Sequence, residues 1–247
     1  MTYTRTVPET HSTNDDVAAL ARDGAAEGLW LRADRQTGGR GRQGRDWHSP
    51  AGNLHASTLV RIREGDPPAP TLALVAAVAL HEAASAYTPE QKLQIKWPND
   101  LLAIPPRNGE GDHAKNAGGV PAKLAGILLE RGGDAVVIGF GVNLAHHPEH
   151  LGRPATSLAA LTGAAPDPPL FLETLADSFA RWLGRWRSEG ILPVRDRWLR
   201  AAHPVGTALA TPEGEGLFDG LDESGALRLR LADGAVRVIH AGDVFLA

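Results

Sequence analysis

Thr37-Gly38-Gly39-Arg40-Gly41-Arg42-Gln43-Gly44-Arg45 is the stretch from which the rest of the chain can be read. Four glycines separate three arginines. Glycine lets the backbone approach a ligand closely and adopt positive φ, and guanidinium groups grip carboxylate or phosphate oxygens two at a time. The spacing Gly39-x-Gly41-x-x-Gly44 copies a dinucleotide-binding fingerprint, but that fingerprint needs a helix to begin inside the motif. Here Arg45-Asp-Trp-His-Ser-Pro50 follows instead. No Gly-Lys-Ser/Thr follows either, which excludes a Walker A loop. Taken alone, the segment also reads as a flexible basic surface loop.

Working outward, Leu29 to Ala33 is a short strand and Arg35 to Arg45 a loop without periodicity. On the N-terminal side, Ser12 or Thr13 can cap a helix whose first turn holds Asp15 and Asp16. Val17, Leu20 and Ala21 give that helix a short apolar stripe, ended by Gly24. On the C-terminal side, Leu54 to Ile62 alternates as a strand, and Thr71 to Tyr87 is a buried, Ala-rich helix. Leu93 to Trp97 is a strand that Pro98 stops. Ala103 to Ala122, rich in Gly and Pro, reads as an exposed, mobile loop. Lys123 to Glu130 and Val136 to Val142 flank Arg131-Gly-Gly-Asp134, the pattern of a hairpin. Phe171, Leu175, Phe179, Trp182 and Trp186 recur at helical spacing up to Gly190. From about His203 short apolar runs alternate with Gly-containing turns, as in a small β unit. The division expected is residues 1–200 and 201–247.

The 247 residues carry 25 Lys and Arg against 29 Asp and Glu, a formal net charge of −4. A whole-chain polyanion surface is therefore not expected, nor is nucleic-acid binding. Cysteine is absent, which excludes disulfides, thiolate nucleophiles and Cys-based zinc sites. Met1 to Glu9 lacks the apolar run of a signal peptide, and Leu72 to Leu80 is too short to span a bilayer, so a cytoplasmic protein without membrane contact is expected.

Three further stretches could carry chemistry. Lys96-Trp-Pro-Asn-Asp100 places Asn99 and Asp100 at a strand end, although it also reads as a plain turn. Lys123-Leu-Ala-Gly126 puts a lysine where it could reach a ligand lying against a sheet, although lysines at strand ends also snorkel. Gly139-Phe-Gly-Val-Asn143 has two glycines inside a buried strand, which suggests close approach or a bulge. His146-His147 reads as a solvated loop, Trp182, Trp186 and Trp198 as packing residues, and Ser12 has no His/Asp partner to make it a hydrolase nucleophile.

In their order and combination these pieces resemble the biotin–protein ligases. The matching segments are Glu9-Thr-His-Ser-Thr-Asn14, Gly38 to Trp47, Lys96-Trp-Pro-Asn-Asp-Leu101, Lys123 to Leu128 and Gly139 to Asn143. The resemblance implies an α+β fold: a mixed β-sheet with packed helices, like that of class II synthetases and biotin ligases, followed by a small SH3-like β-barrel. It implies a two-step reaction in which biotin and MgATP give biotinyl-5′-AMP, and the acyl group then moves to a lysine of a biotin carboxyl carrier protein of a carboxylase.

By matching position, Ser12, Thr13, Asn14 and Gln36 would line the biotin site. Arg40, Gly41 and Arg42 would hold the biotin carboxyl and later the acyl phosphate. Lys123 would bridge the carboxylate and the α-phosphate, and Gly126 would leave room for the ligand. Arg45 and Trp47 would serve the adenylate, with Asn99 and Asn143 as nucleotide or metal-shell residues. Asp100 would take a proton from the acceptor lysine. Arg42, Lys123 and Asp100 are thus the expected catalytic residues. No metal ligand is assigned, Mg2+ being expected with ATP.

The segment from Ala103 to Ala122 is longer than the turn expected between its flanking motifs. Gln43 stands where the family can carry arginine. The family's repressors carry an N-terminal DNA-binding domain, which has no counterpart before residue 12, so no operator binding is expected. Members often dimerise through the edge of the central sheet, which leaves a homodimer open. A lipoate or octanoate ligase and a non-catalytic biotin sensor are the other readings. The Gly/Arg loop is expected to be mobile until ligand orders it.

Overall fold

The computed structural model describes residues 3–89, 92–104, 120–149 and 154–246. Most of the expected Ala103–Ala122 loop lies outside the described residues.

Seven strands form the main sheet: β1 (Tyr3–Thr10), β2 (Leu29–Gln36), β3 (Leu54–Arg61), β4 (Leu93–Lys96), β5 (Asp100–Ala103), β6 (Ala122–Gly132) and β7 (Ala135–Val142). Their spatial order is β1-β2-β3-β7-β6-β5-β4. β1 and β2 run parallel and every other neighbour is antiparallel, so the sheet is mixed as expected.

Helices cover both faces. α1 (Thr13–Arg22) buries Val17 and Ala21 against Leu31, Leu59, Ala135 and Val137. On the other face lie α2 (Leu72–Ser85), α4 (Pro168–Glu189) and α5 (Leu192–Ala201), with the short α3 (Leu158–Thr162) following the sheet in sequence. α2 is apolar nearly all round because it is sandwiched between the sheet and α4. Trp30 of β2 and Phe140 of β7 stack at 5.5 Å, and Phe179 of α4 meets both rings edge-on. α4 starts on an Asp167 N-cap with prolines in its first turn, and stops at Gly190, whose φ of +79° disfavours a side chain.

The C-terminal part is a second sheet of β8 (Ala208–Thr211), β9 (Gly214–Leu221), β10 (Leu227–Arg230), β11 (Val236–Ile239) and β12 (Phe245–Leu246). Its order is β11-β10-β9-β8-β12, antiparallel throughout. The small β domain expected at the C-terminus is present as an antiparallel sheet, and among the described residues no pairing of β11 with β12 closes it into a barrel. It docks on the main body where Trp198 and His203 pack against Phe218, and where Trp97 Nε1 donates to the Gly225 carbonyl.

Four elements were not expected from sequence: β1, β5, α3 and α5. β1 is a mostly exposed edge strand that carries Pro8, so it shows neither alternation nor an apolar run. α5 follows α4 after only two residues and buries just Val194, Trp198 and Ala201. Strand β2 also runs three residues further than its apolar part, taking in Arg35 and Gln36. Among the described residues, no helix is long and apolar enough to cross a membrane.

Candidate active site

The N-terminus of α1, the C-terminal ends of β2 and β7, the β4–β5 turn and the start of β6 meet around one cavity of about 510 Å³. That size suits a small organic ligand. Ser12, Thr13, Asn14, Gln36, Arg40, Gly41, Arg42, Arg45, Trp47, Asn99, Asp100, Lys123, Gly126 and Asn143 all line it. The structure thus gathers every expected site residue into a single space.

One end of the cavity is built from uncharged polar groups. The Thr13 backbone N–H and hydroxyl both reach Gln36 Oε1, at 2.8 and 3.1 Å. Thr13 Oγ1 also lies 2.7 Å from the Ser57 hydroxyl, which donates to Asn14 Oδ1 at 2.6 Å. Gln36 Nε2 donates to Ser49 Oγ. Ser12 has a local duty as well, since its hydroxyl accepts from Asp15 N and caps α1. Apart from the half-buried Gln36 these groups are buried, and all are interlocked, so each is held in one orientation.

The other end is cationic. Lys96, at the end of β4, and Asp100, at the start of β5, face each other across the Trp97-Pro98-Asn99 turn. Lys123 of β6 closes on the same carboxylate: Asp100 Oδ1 is 2.6 Å from Lys123 Nζ and Oδ2 is 3.2 Å from Lys96 Nζ. Burial pushes the Asp100 carboxyl upward, but the two ammonium groups outweigh it and hold it below the usual carboxylate range. Asp100 therefore carries a negative charge at neutral pH. Asn99 is turned inward, its Nδ2 donating to the Ile127 carbonyl at 2.6 Å, and Asn143 Nδ2 donates to the Thr156 carbonyl at 3.0 Å.

The Gly/Arg loop covers the cavity as a small hairpin: Gly41 N donates to the Arg45 carbonyl and Trp47 N to the Gly39 carbonyl. Each of its arginines has an anionic partner. Arg40 forks onto Asp15 and also reaches Glu130. Arg45 pairs with Asp243 of the C-terminal sheet at 2.8 Å. Arg42 donates to the Gly242 carbonyl and stands 3.8 Å from Asp243, which leaves it the least committed of the three.

The glycines of β7 take close approach rather than a bulge, since β7 keeps its register with both neighbours. A Cβ on Gly139 would collide with Asn14 Oδ1, and one on Gly141 would lie 2.5 Å from the Trp47 ring. The Trp47 ring thus packs over Gly141 and Gly126 of the sheet, with Lys123 Nζ 5.4 Å from its centre. Its Nε1 is buried without a hydrogen-bond partner.

Residues 8–143 match the model of the biotin/lipoate A/B protein ligase family, and residues 208–247 match that of the biotin protein ligase C terminal domain. The chain belongs to the biotin/lipoate A/B protein ligase family. It is 40% identical to the biotin–[acetyl-CoA-carboxylase] ligase of Paracoccus denitrificans, over 96% of this chain and 97% of that one. It is 33% identical to the ligase of the same name from Mycobacterium tuberculosis, over 96% and 86%. Among solved structures, the biotin protein ligase of Aquifex aeolicus in complex with biotin and ATP superposes with a TM-score of 0.82 at 26% identity, both chains being fully covered.

This family member holds site residues that sequence reading missed. Lys96 was legible as the i,i+4 partner of Asp100. Asp15, Glu130 and Asp243 were not, since nothing local marks an acid that pairs with a distant arginine. Asn53 was missed too. Its Oδ1 accepts from three consecutive N–H groups, of Leu144, Ala145 and His146, and so shapes the loop after Asn143.

Proposed function

We propose that the chain is a biotin–protein ligase that joins biotin to ATP as biotinyl-5′-AMP and then to a lysine of a biotin carboxyl carrier protein. The observation that carries this reading is the polarity of the cavity. Uncharged hydrogen-bonding groups crowd one end, and Lys123, Lys96, Arg42 and Arg45 crowd the other. A ligand with a neutral donor–acceptor ring and an anionic tail fits that gradient, because each unpaired buried polar atom would cost about 1–3 kcal/mol.

Ser12, Thr13, Asn14 and Gln36 receive the ureido ring in this reading. Gly41, Arg42 and Lys123 receive the carboxylate. Arg40, whose guanidinium is spent on Asp15 and Glu130, is better placed to cover the ring than to hold the tail. A carboxylate oxygen of biotin attacks the α-phosphorus, and pyrophosphate leaves with the electrons of the broken P–O bond. The two reactants repel, so the cations do most of the work by positioning and charge stabilisation. Arg45, Trp47, Asn99 and Asn143 stand on the adenylate side. Magnesium keeps mostly phosphate and water oxygens as ligands. Mg2+ is accordingly proposed to enter with the triphosphate, and among the described residues no cluster of three acidic or histidine side chains is arranged to hold a metal ion.

In the second step the acceptor amine attacks the acyl carbon and AMP departs. The proton lost by the amine goes to Asp100, which is ionised; since Lys96 and Lys123 lower its basicity, it takes the proton once attack has made the amine nitrogen acidic. The test is transfer of labelled biotin to an apo biotin carboxyl carrier domain with MgATP. Labelled carrier supports the proposal. Biotin binding without any transfer would instead support a sensor.

A further inference from the structure

Arg40 ties the Gly/Arg loop to the body at two points. Its NH1 and NH2 fork onto Asp15 of α1 at 2.8 and 2.7 Å, and NH2 also reaches Glu130 of β6 at 2.9 and 3.0 Å. The same Glu130 carboxylate accepts from Asn14 Nδ2 at 2.7 Å. Since Ser57 donates to Asn14 Oδ1, Glu130 completes the set of bonds that fixes which way the Asn14 amide points. One carboxylate therefore orients a side chain of the cavity wall and fastens the loop that roofs it.

Two carboxylates face one guanidinium here, so this end keeps a surplus negative charge. The far end has four cations, Lys96, Lys123, Arg42 and Arg45, against Asp100 and Asp243. An anionic ligand tail is thereby pushed away from Arg40 and drawn toward Lys123. A forked arginine–carboxylate contact is also geometrically specific, unlike an ordinary surface ion pair.

We infer that Asp15 and Glu130 are positioning residues of the ligand site: through Arg40 they clasp the Gly/Arg loop over the ring end of the cavity and set how long the ligand stays. The inference rests on the biotin-ligase reading and adds a role for Arg40 that needs no contact with the ligand carboxylate. Loop opening must break the clasp, so the clasp acts on dissociation rather than on chemistry.

The experiment is the dissociation rate of biotin and of biotinamide, whose tail is neutral, from the wild type and from Asp15→Asn, Glu130→Gln and Arg40→Ala. Both carboxylates are partly exposed, at 49% and 39% of the side chain, so their amides leave the core intact. Each variant is expected to speed the release of both ligands, by about three- to tenfold. Asp15→Asn and Glu130→Gln are expected to raise KM for biotin while kcat stays level. Release rates unchanged in the amide variants would overturn the inference. So would an Arg40→Ala variant that loses biotin faster but keeps biotinamide, since the guanidinium would then be holding the carboxylate. A wild type that binds neither ligand would overturn the biotin reading itself, and the inference with it.

Discussion

Lys123 Nζ lies 2.6 Å from the carboxylate of Asp100, and the pair sits at the floor of the cavity where β5 and β6 run side by side. The acid is almost fully buried while the lysine side chain is one-third exposed, so the charge that can turn toward a ligand is that of the lysine. Removing it should be felt in the first half-reaction. Lys123→Ala is expected to slow biotin-dependent pyrophosphate release by about 10²–10³-fold, the usual loss for one donor aimed at developing charge. Asp100→Asn is expected to slow transfer from preformed biotinyl-AMP by at least about 10²-fold. Transfer at the wild-type rate would remove Asp100 from the proton path.

His203 gives a pH dependence with a definite sign. Its ring is buried against Phe218, and burial, with Lys96 nearby, lowers its pKa to about 4 from 6.5. The unfolded chain therefore binds a proton that the folded chain refuses. The stability contribution is complete above about pH 6.5 and is lost as the pH falls toward 4, by about 1.4 kcal/mol per unit. Urea unfolding at pH 7, 6 and 5 should show a steeper loss in the wild type than in His203→Gln.

Gly139 and Gly141 are expected to separate the two ligands. Gly139→Ala pushes on Asn14, and Gly141→Ala pushes on Trp47. Overpacking of this kind costs about 1–3 kcal/mol. The first variant should raise KM for biotin and the second KM for ATP, as steady-state kinetics with each substrate varied in turn would show.

Asn53 is the buried acceptor for three successive N–H groups. Asn53→Ala leaves all three unpaired and is expected to lower stability by about 2–4 kcal/mol and to raise KM for ATP. Asn53→Asp keeps the acceptor for these N–H groups but loses the Nδ2 donation to the His146 carbonyl, and should recover only part of the ATP affinity.

Much of this molecule was legible in the sequence. The strands 54–61, 122–132 and 135–142 alternate or run apolar, and the helices 72–85 and 168–189 carry wide apolar faces. The polar edge strand β1 leaves no such mark. Neither does α5, whose Trp198 finds its partner in the C-terminal sheet. In the site, glycine-rich and Trp-Pro-Asn-Asp stretches announced the cations and amides. Their anionic partners lay beyond reach: Arg40 meets residues 25 and 90 positions away, and Arg45 meets one 198 positions away. Only the fold brings such pairs together, and a small run of alternating strands does not say whether its sheet will close.

Pyrophosphate release with MgATP, offered biotin, lipoate or octanoate in turn, tests the central claim most directly. Release with biotin alone, lost in Lys123→Ala and reduced in Arg42→Ala, is the result expected of a neutral ring end joined to a cationic tail end. Release with lipoate or octanoate, or none with biotin, would contradict it.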